Sequence, residues 1–385
     1  MNFIDQILAR IFPPAKPLPA GSYAYTAPLK EGQPPLRLHL RMEANGSALL
    51  IVNASTVLHL NQTAAEYAYH LVRGVPAEEA ARSTSRRYHI SQKDALRDYQ
   101  DFEDRLYTLV DTPDLDPVTF LDFERTEPYS VGLSAPYRLD CALTYQTAAS
   151  QAGLAPVERV KRELLLDEWK TILNKAWAAG IPHVIFTGGE PTLRPDLPDL
   201  IAYAEQLGFV SGMLSDGLRL AEKDYLQQVL QSGLDHLMIT FDPAQEQSWE
   251  ALRDVLASDL YTTVHLTFPL PADQTDLLLR LKEMGVQSLS LSASGPEHKD
   301  DLQAARNQAA QLEIPLVWDL PVPYSAFHPV AIELEESGQK VDGAGSAWLY
   351  VEPDGDVLPS QGVTRVLGSL LTDPWETVWA AARAE

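Results

Sequence analysis

Two periodicities divide the chain. Near the N-terminus, the segment LRLHLR alternates apolar and polar residues from Leu36, and the apolar run ALLIV follows from Ala48. Between them stand Asn45 and Gly46, the dipeptide whose ready access to positive φ suits a two-residue hairpin. From Asn61 the period lengthens. NQTAAEYAYHLVRG opens on a capping asparagine, puts Ala65, Ala68 and Leu71 on one face and stops at Gly74. Two further helices are predicted around EEAARSTSRRY and ALRDYQDFEDRLYTLV. A hairpin followed by three short helices is a small α+β, winged-helix-like unit.

Beyond residue 135 one theme repeats. PYRLDCALTY, HVIFTGG, FVSGMLSDG, HLMITFD, TTVHLTFPL and QSLSLSAS read as strands, apolar throughout, and PLVWDL closes the series. The first six are each followed by an amphipathic helical stretch. Apolar strands alternating with such helices imply a parallel sheet covered by helices. Six to seven βα units predict a partial parallel (β/α)6-type barrel rather than a closed eightfold one, with any site at the strand ends. A short β-hairpin and helix extension follows.

Proline-rich breaks at 13 to 19, 111 to 117 and 319 to 329 set the boundaries. The expected order is an N-terminal helix and linker over residues 1–20, the winged-helix-like unit over 21–112, a linker over 113–134, the barrel over 135–320 and the extension over 321–385. The first helix would align Phe3, Ile4, Ile7, Leu8 and Ile11 before Pro13 and Pro14.

Charge and cysteine content narrow the function. Thirty Lys and Arg against fifty-three Asp and Glu leave a net charge of −23, which disfavours nucleic acid and anionic lipid as partners. A single cysteine, Cys141, excludes an intramolecular disulfide. No apolar run is long enough to span a membrane and no signal peptide is visible, so the expected compartment is the cytoplasm.

Several motifs then point to one family. The predicted strand from His183 runs into Gly188, Gly189, Glu190 and Pro191; Ser215, Asp216 and Gly217 end the next strand, and Thr240 and Asp242 end the one after. In order, spacing and strand context these resemble the radical S-adenosylmethionine superfamily, in its peptide-maturing branch, over about residues 135 to 320. The resemblance implies that Gly188, Gly189 and Glu190 receive the methionyl amino group of the cofactor, that Thr240 and Asp242 lie near its ribose or carboxylate, and that Pro191 and Ser215 complete the cofactor-binding set. Residues 36 to 110 resemble a PqqD-like peptide-recognition element through Leu58, His59, Leu60, Asn61, Gln62, Thr63 and Ala64, then Glu78, Glu79 and Ala80, then a helix from Leu96 to Leu109. That resemblance implies a leader-type peptide or partner protein bound as an added strand. Pro353, Asp354, Gly355 and Asp356, with Gly368 and Trp375, resemble the SPASM-type extension of peptide maturases, whose next cysteine position is Ser360 here.

One departure from the family pattern matters most. Its three cluster cysteines fall on Thr147, Gln151 and Leu154, none of which offers sulfur. A lone thiolate six residues upstream cannot replace three ligands of a cubane, and Cys141 reads as a small core residue. No [4Fe-4S] cluster, metal site or catalytic residue is therefore expected. The preferred reading is a cluster-less pseudoenzyme that binds a peptide or partner protein in a peptide-modification or regulatory pathway. Two alternatives remain open. In the first, Gly188 to Pro191, Thr240 and Asp242 sense S-adenosylmethionine or another adenosyl ligand, against the reading that the Gly188 to Pro191 turn persists only for the strand-to-helix connection. Glu190, Asp242 and His265 would otherwise hold a divalent ion in a metal-dependent hydrolase or lyase, although mid-strand His265 suits a hydrogen-bonded core position.

Overall fold

A computed structural model describes residues 15–27, 36–54, 56–112, 133–147, 160–270, 274–317 and 343–384. The helix expected over residues 1–12 and the linker expected at 113–134 fall outside these ranges, save for 133 and 134. The chain divides into two compact units, Met1–Ser130 and Val131–Glu385.

In the first unit, four antiparallel strands run in the order β1 (Gly21–Thr26), β2 (Arg37–Met42), β3 (Ala48–Val52) and β4 (Thr56–Leu60). The predicted hairpin joins β2 to β3, with Leu40 opposite Leu50, and Asn45 Oδ1 accepts from the Ser47 amide at 2.9 Å. Three helices follow: α1 (Gln62–Val72), α2 (Ala77–Tyr88) and α3 (Gln92–Asp111). Asn61 caps α1 by accepting from the Ala64 amide at 3.0 Å, and Ser91 caps α3 through the Asp94 amide at 3.1 Å. Leu38, Leu40, Leu50, Leu58 and Leu60 pack with Ala65, Ala68 and Leu106 in one core. Burying a leucine fully contributes roughly 1.5–3 kcal/mol, so this cluster is the unit's main source of stability.

The second unit carries six successive parallel strands: β5 (Arg138–Thr144), β6 (His183–Gly188), β7 (Val210–Ser215), β8 (His236–Thr240), β9 (Tyr261–Phe268) and β10 (Ser288–Ala293). They lie side by side in chain order. The intervening helices are α4 (Leu166–Ala178), α5 (Leu197–Leu207), α6 (Lys223–Gln231), α7 (Glu246–Leu256) and α8 (Gln274–Glu283), and α9 (Lys299–Gln311) follows β10. This is the expected α/β partial barrel. Beyond β5 the sheet continues through the C-terminal segment. There β11 (Trp348–Val351) pairs parallel with β5, and β12 (Asp356–Leu358) and β13 (Gly368–Ser369) add antiparallel before α10 (Trp375–Ala382).

The strands are not apolar throughout. Because side chains alternate, the register places Leu139, Cys141, Val184, Phe186, Leu237, Ile239, Val264, Leu266, Leu289 and Leu291 on one face. Right-handed βα crossovers keep all the helices on one side of such a sheet, and this apolar face is the one they cover. The opposite face carries Arg138, Asp140, His183, His236, Thr263, His265, Ser288, Ser290 and Ser292. These residues are tied to one another. Arg138 Nε donates to Asp140 at 2.7 Å, His183 Nε2 meets His236 Nε2 at 2.7 Å, and Thr263 and Ser288 hydroxyls lie 2.8 Å apart.

Candidate functional site at the carboxyl ends of β5 to β8

The turn after β6 is set by close backbone approach. Gly188 has φ of 121°, and a side chain on it would stand 2.2 Å from the Thr144 carbonyl oxygen. At Gly189 the corresponding distance is 2.1 Å to the Gln146 carbonyl oxygen. The two glycines let the β6 turn lie directly on the segment leaving β5, where the Gly189 amide donates to Thr144 O and the Glu190 amide to Gln146 O, each at 2.7 Å. Pro191 then opens a single 3₁₀ turn, Pro191–Leu193. Arg194 fixes the far side: its Nη1 donates to the carbonyls of Leu143 at 3.2 Å and Leu164 at 3.0 Å, while Nε and Nη2 grip Asp196.

Glu190 is the centre of the site. Only 2% exposed, its carboxylate accepts four hydrogen bonds. Oε1 takes the Thr192 amide at 3.0 Å, the Thr192 hydroxyl at 2.6 Å and the Ser215 hydroxyl at 2.8 Å; Oε2 takes the Asp216 amide at 2.7 Å. The neighbouring Asp216 is also buried. Its Oδ1 accepts from the Leu218 amide at 2.9 Å, whereas its Oδ2 has no hydrogen-bond partner. Burial, then the charge of Asp216, pushes Glu190 up to about 7. Burial raises Asp216 as well, its hydrogen bonds opposing the shift. Two buried carboxyls this close favour sharing one proton, or neutralisation by a cation that Asp216 Oδ2 can accept from.

The structure thus brings together Gly188, Gly189, Glu190, Pro191 and Ser215. Thr240 joins them through its hydroxyl, which donates to the Ser215 carbonyl at 3.3 Å. Asp242 turns to its own loop instead, accepting from the Ala244 amide at 2.9 Å and from Gln245 Nε2 at 2.8 Å. Asp216, Thr192 and Arg194 were not among the expected site residues. Asp216 was visible within the SDG turn, but nothing in the sequence marked Thr192 as a hydrogen-bond partner of Glu190 or Arg194 as an anchor on the Leu143 and Leu164 carbonyls.

The alternative metal set does not assemble. His265 is 1% exposed, with Nδ1 held by Ser290 Oγ at 2.9 Å and Nε2 by Ser292 Oγ at 2.8 Å, and burial lowers it to about 3. Glu190, Asp242 and His265 form no converging group. Among the described residues the one group of three such ligands is Glu352, Asp354 and Asp356 at the β11–β12 turn.

Of the three cluster-ligand positions, Thr147 lies just past β5, while Gln151 and Leu154 fall outside the described residues. Cys141 sits fully buried in β5, and desolvation, reinforced by Asp140, pushes its thiol well above the usual range. An iron–sulfur cubane needs several thiolates. One inert thiol on the helix-covered face does not fit such a cluster.

The profile of the radical S-adenosylmethionine superfamily matches residues 141–264. A PqqA peptide cyclase of Streptomyces rochei is 30% identical, the match spanning 60% of this chain and 71% of that protein. Among solved structures, Streptococcus suis SuiB bound to its precursor peptide SuiA superposes with a TM-score of 0.58 at 12% identity, covering 88% of this chain and 86% of that one. SuiB bound to S-adenosylmethionine gives the same TM-score at 14% identity, covering 92% and 88%. With the strand order, the glycine turn and these similarities taken together, the chain belongs to the peptide-maturing branch of the radical S-adenosylmethionine superfamily.

Proposed function

We propose that this chain is a family member that binds a peptide or partner protein without starting radical chemistry, and so acts as a scaffold or regulator beside a peptide-modifying system. The observation that carries this reading is the ligand set: hydroxyl, amide and alkyl groups at Thr147, Gln151 and Leu154, and one buried thiol elsewhere in 385 residues. In this superfamily the cluster supplies the electron that cleaves the cofactor, while the protein positions and tunes it. The peptide side is supported by the PqqD-like pattern over residues 36 to 110 and by the peptide named with SuiB. The test is incubation of anaerobically purified protein with S-adenosylmethionine and dithionite. The expected outcome is no 5′-deoxyadenosine above a protein-free control; multiple turnovers would overturn the reading.

A second reading, ligand sensing at the same site, is favoured by the orphaned buried Oδ2 of Asp216. An ammonium group would satisfy that oxygen and neutralise the Glu190–Asp216 pair, which fits the amino end of S-adenosylmethionine. Calorimetry with the cofactor should then show binding that Asp216→Asn weakens. No heat at millimolar ligand would leave the turn with a purely structural role.

A further inference from the structure

The first unit contains a strand that sequence reasoning passed over, and the way it is held resembles the way a ligand is held. β1 forms the sheet edge, antiparallel to β2 over Gly21↔Met42 to Thr26↔Arg37. It differs from the strand it covers: every residue of β2 is buried, whereas β1 alternates exposed with half-buried positions. Its contribution to the core is two side chains, Tyr23 and Tyr25, set two residues apart on one face of an extended segment. Tyr23 meets Tyr69 edge-on at 5.0 Å, and Tyr25 lies near Tyr107 of α3.

The segment leading into β1 is gripped by its backbone. Gln62 Nε2 of α1 donates to the Ala15 carbonyl at 2.7 Å, and Arg87 Nη2 of α2 donates to the Lys16 carbonyl at 2.6 Å. Arg87 is itself set in place by the buried Glu66, whose Oε2 accepts from Nε at 2.8 Å. Side chains that read carbonyls, a strand ladder that reads amides and carbonyls, and pockets that take alternate side chains are together the means by which a sheet edge binds an extended peptide in trans.

We infer that residues 15–27 are an intramolecular stand-in for an extended peptide ligand. The β2 edge takes in trans a peptide segment carrying an aromatic-x-aromatic pair, which exchanges with β1. The chain's own segment limits such binding to the fraction of molecules in which β1 has lifted away. This rests on the peptide-binding reading above and adds to it the edge, the residue pattern and a built-in competitor.

The probe is a fluorescein-labelled peptide of residues 15–27, AKPLPAGSYAYTA, added to the full chain and read by anisotropy. Tyr23→Ala/Tyr25→Ala weakens the internal strand and should tighten probe binding about tenfold if the edge is open in roughly a tenth of wild-type molecules. The same peptide with both tyrosines changed to serine should bind far more weakly. Ala24→Cys/His39→Cys places thiols at an opposed pair of β1 and β2; Cys141, being buried, will not compete. Oxidation of this variant should abolish probe binding, and reduction should restore it, which keeps the test decisive if the tyrosine variant fails to fold. Equal binding by the oxidised and reduced forms would overturn exchange at this edge while leaving peptide binding at another surface intact. No binding by any form would also overturn exchange. That outcome bears on this edge alone, since peptide binding elsewhere on the chain does not require residues 15–27 to be displaced.

Discussion

At the scale of single residues, the site is a problem in burying charge. Glu190 is raised from its ordinary value of 4.5 to about 7. A raised acid holds its stabilising contribution below pH 4.5 and loses it as the pH climbs through 7. The opposite sign applies to His236, which is lowered from 6.5 to about 4 by burial and then by Arg138, and which shares a 2.7 Å contact with His183 that cannot hold a proton from each ring. Its contribution is complete above pH 6.5 and is lost as the pH falls through 4. Chemical denaturation across pH 4 to 8 should therefore give a stability maximum between these limits. Glu190→Gln should flatten the alkaline limb and His236→Gln the acid limb; unchanged limbs would contradict the assignments. Gly189→Ala tests the glycine contact independently, because a side chain there meets a backbone carbonyl that no rotamer change relieves. Overpacking of this kind costs about 1–3 kcal/mol, to be read as a lowered denaturation midpoint.

At the scale of elements, what the sequence disclosed depends on how many residues repeat a signal. The βα series was legible because each strand and helix restates its period several times, and the β2–β3 hairpin because Asn45 and Gly46 have few other uses at that spacing. The core role of Leu38, Leu40, Ala65 and Ala68 followed from the same patterns. β1 escaped notice because six residues with two tyrosines give a weak alternation beside a proline-rich stretch. The polar face escaped it for another reason: Thr, Ser and His alternate through β9 and β10, but their burial depends on partners supplied by the adjacent strand. His265, Ser290, Ser292 and Thr267 form one closed set of hydrogen bonds. Replacing His265 with leucine leaves buried hydroxyls short of a partner, a cost of roughly 1–3 kcal/mol per group. His265→Leu should thus be destabilised relative to wild type, and His265→Leu/Ser290→Ala/Ser292→Ala should regain part of the loss. A triple variant weaker than the single one would contradict the account of this ladder. The contacts of the site were only half legible, since Ser215 and Asp216 sit in a recognisable turn whereas Thr192, on Glu190, and Arg194, on the Leu143 and Leu164 carbonyls, owe their places to the path of the chain.

At the scale of the whole molecule, two retained features stand against one that has changed. The parallel sheet, the glycine turn and its buried glutamate keep the family's architecture, and the first unit carries the four-stranded sheet to which the peptide-binding proposal is attached. The positions that should carry sulfur do not. A fold can persist under such a change because its stability lies in the leucine-rich helix-covered face and in the Glu190 and Arg194 contacts, neither of which needs iron. Among the described residues no helix is long and apolar enough to cross a membrane. The most direct measurement is the iron and acid-labile sulfide content of the full chain after anaerobic reconstitution and desalting. The account predicts far less than one iron per chain and no paramagnetic signal on reduction; about four irons and four sulfides per chain, with the resonance of a reduced cubane, would contradict it.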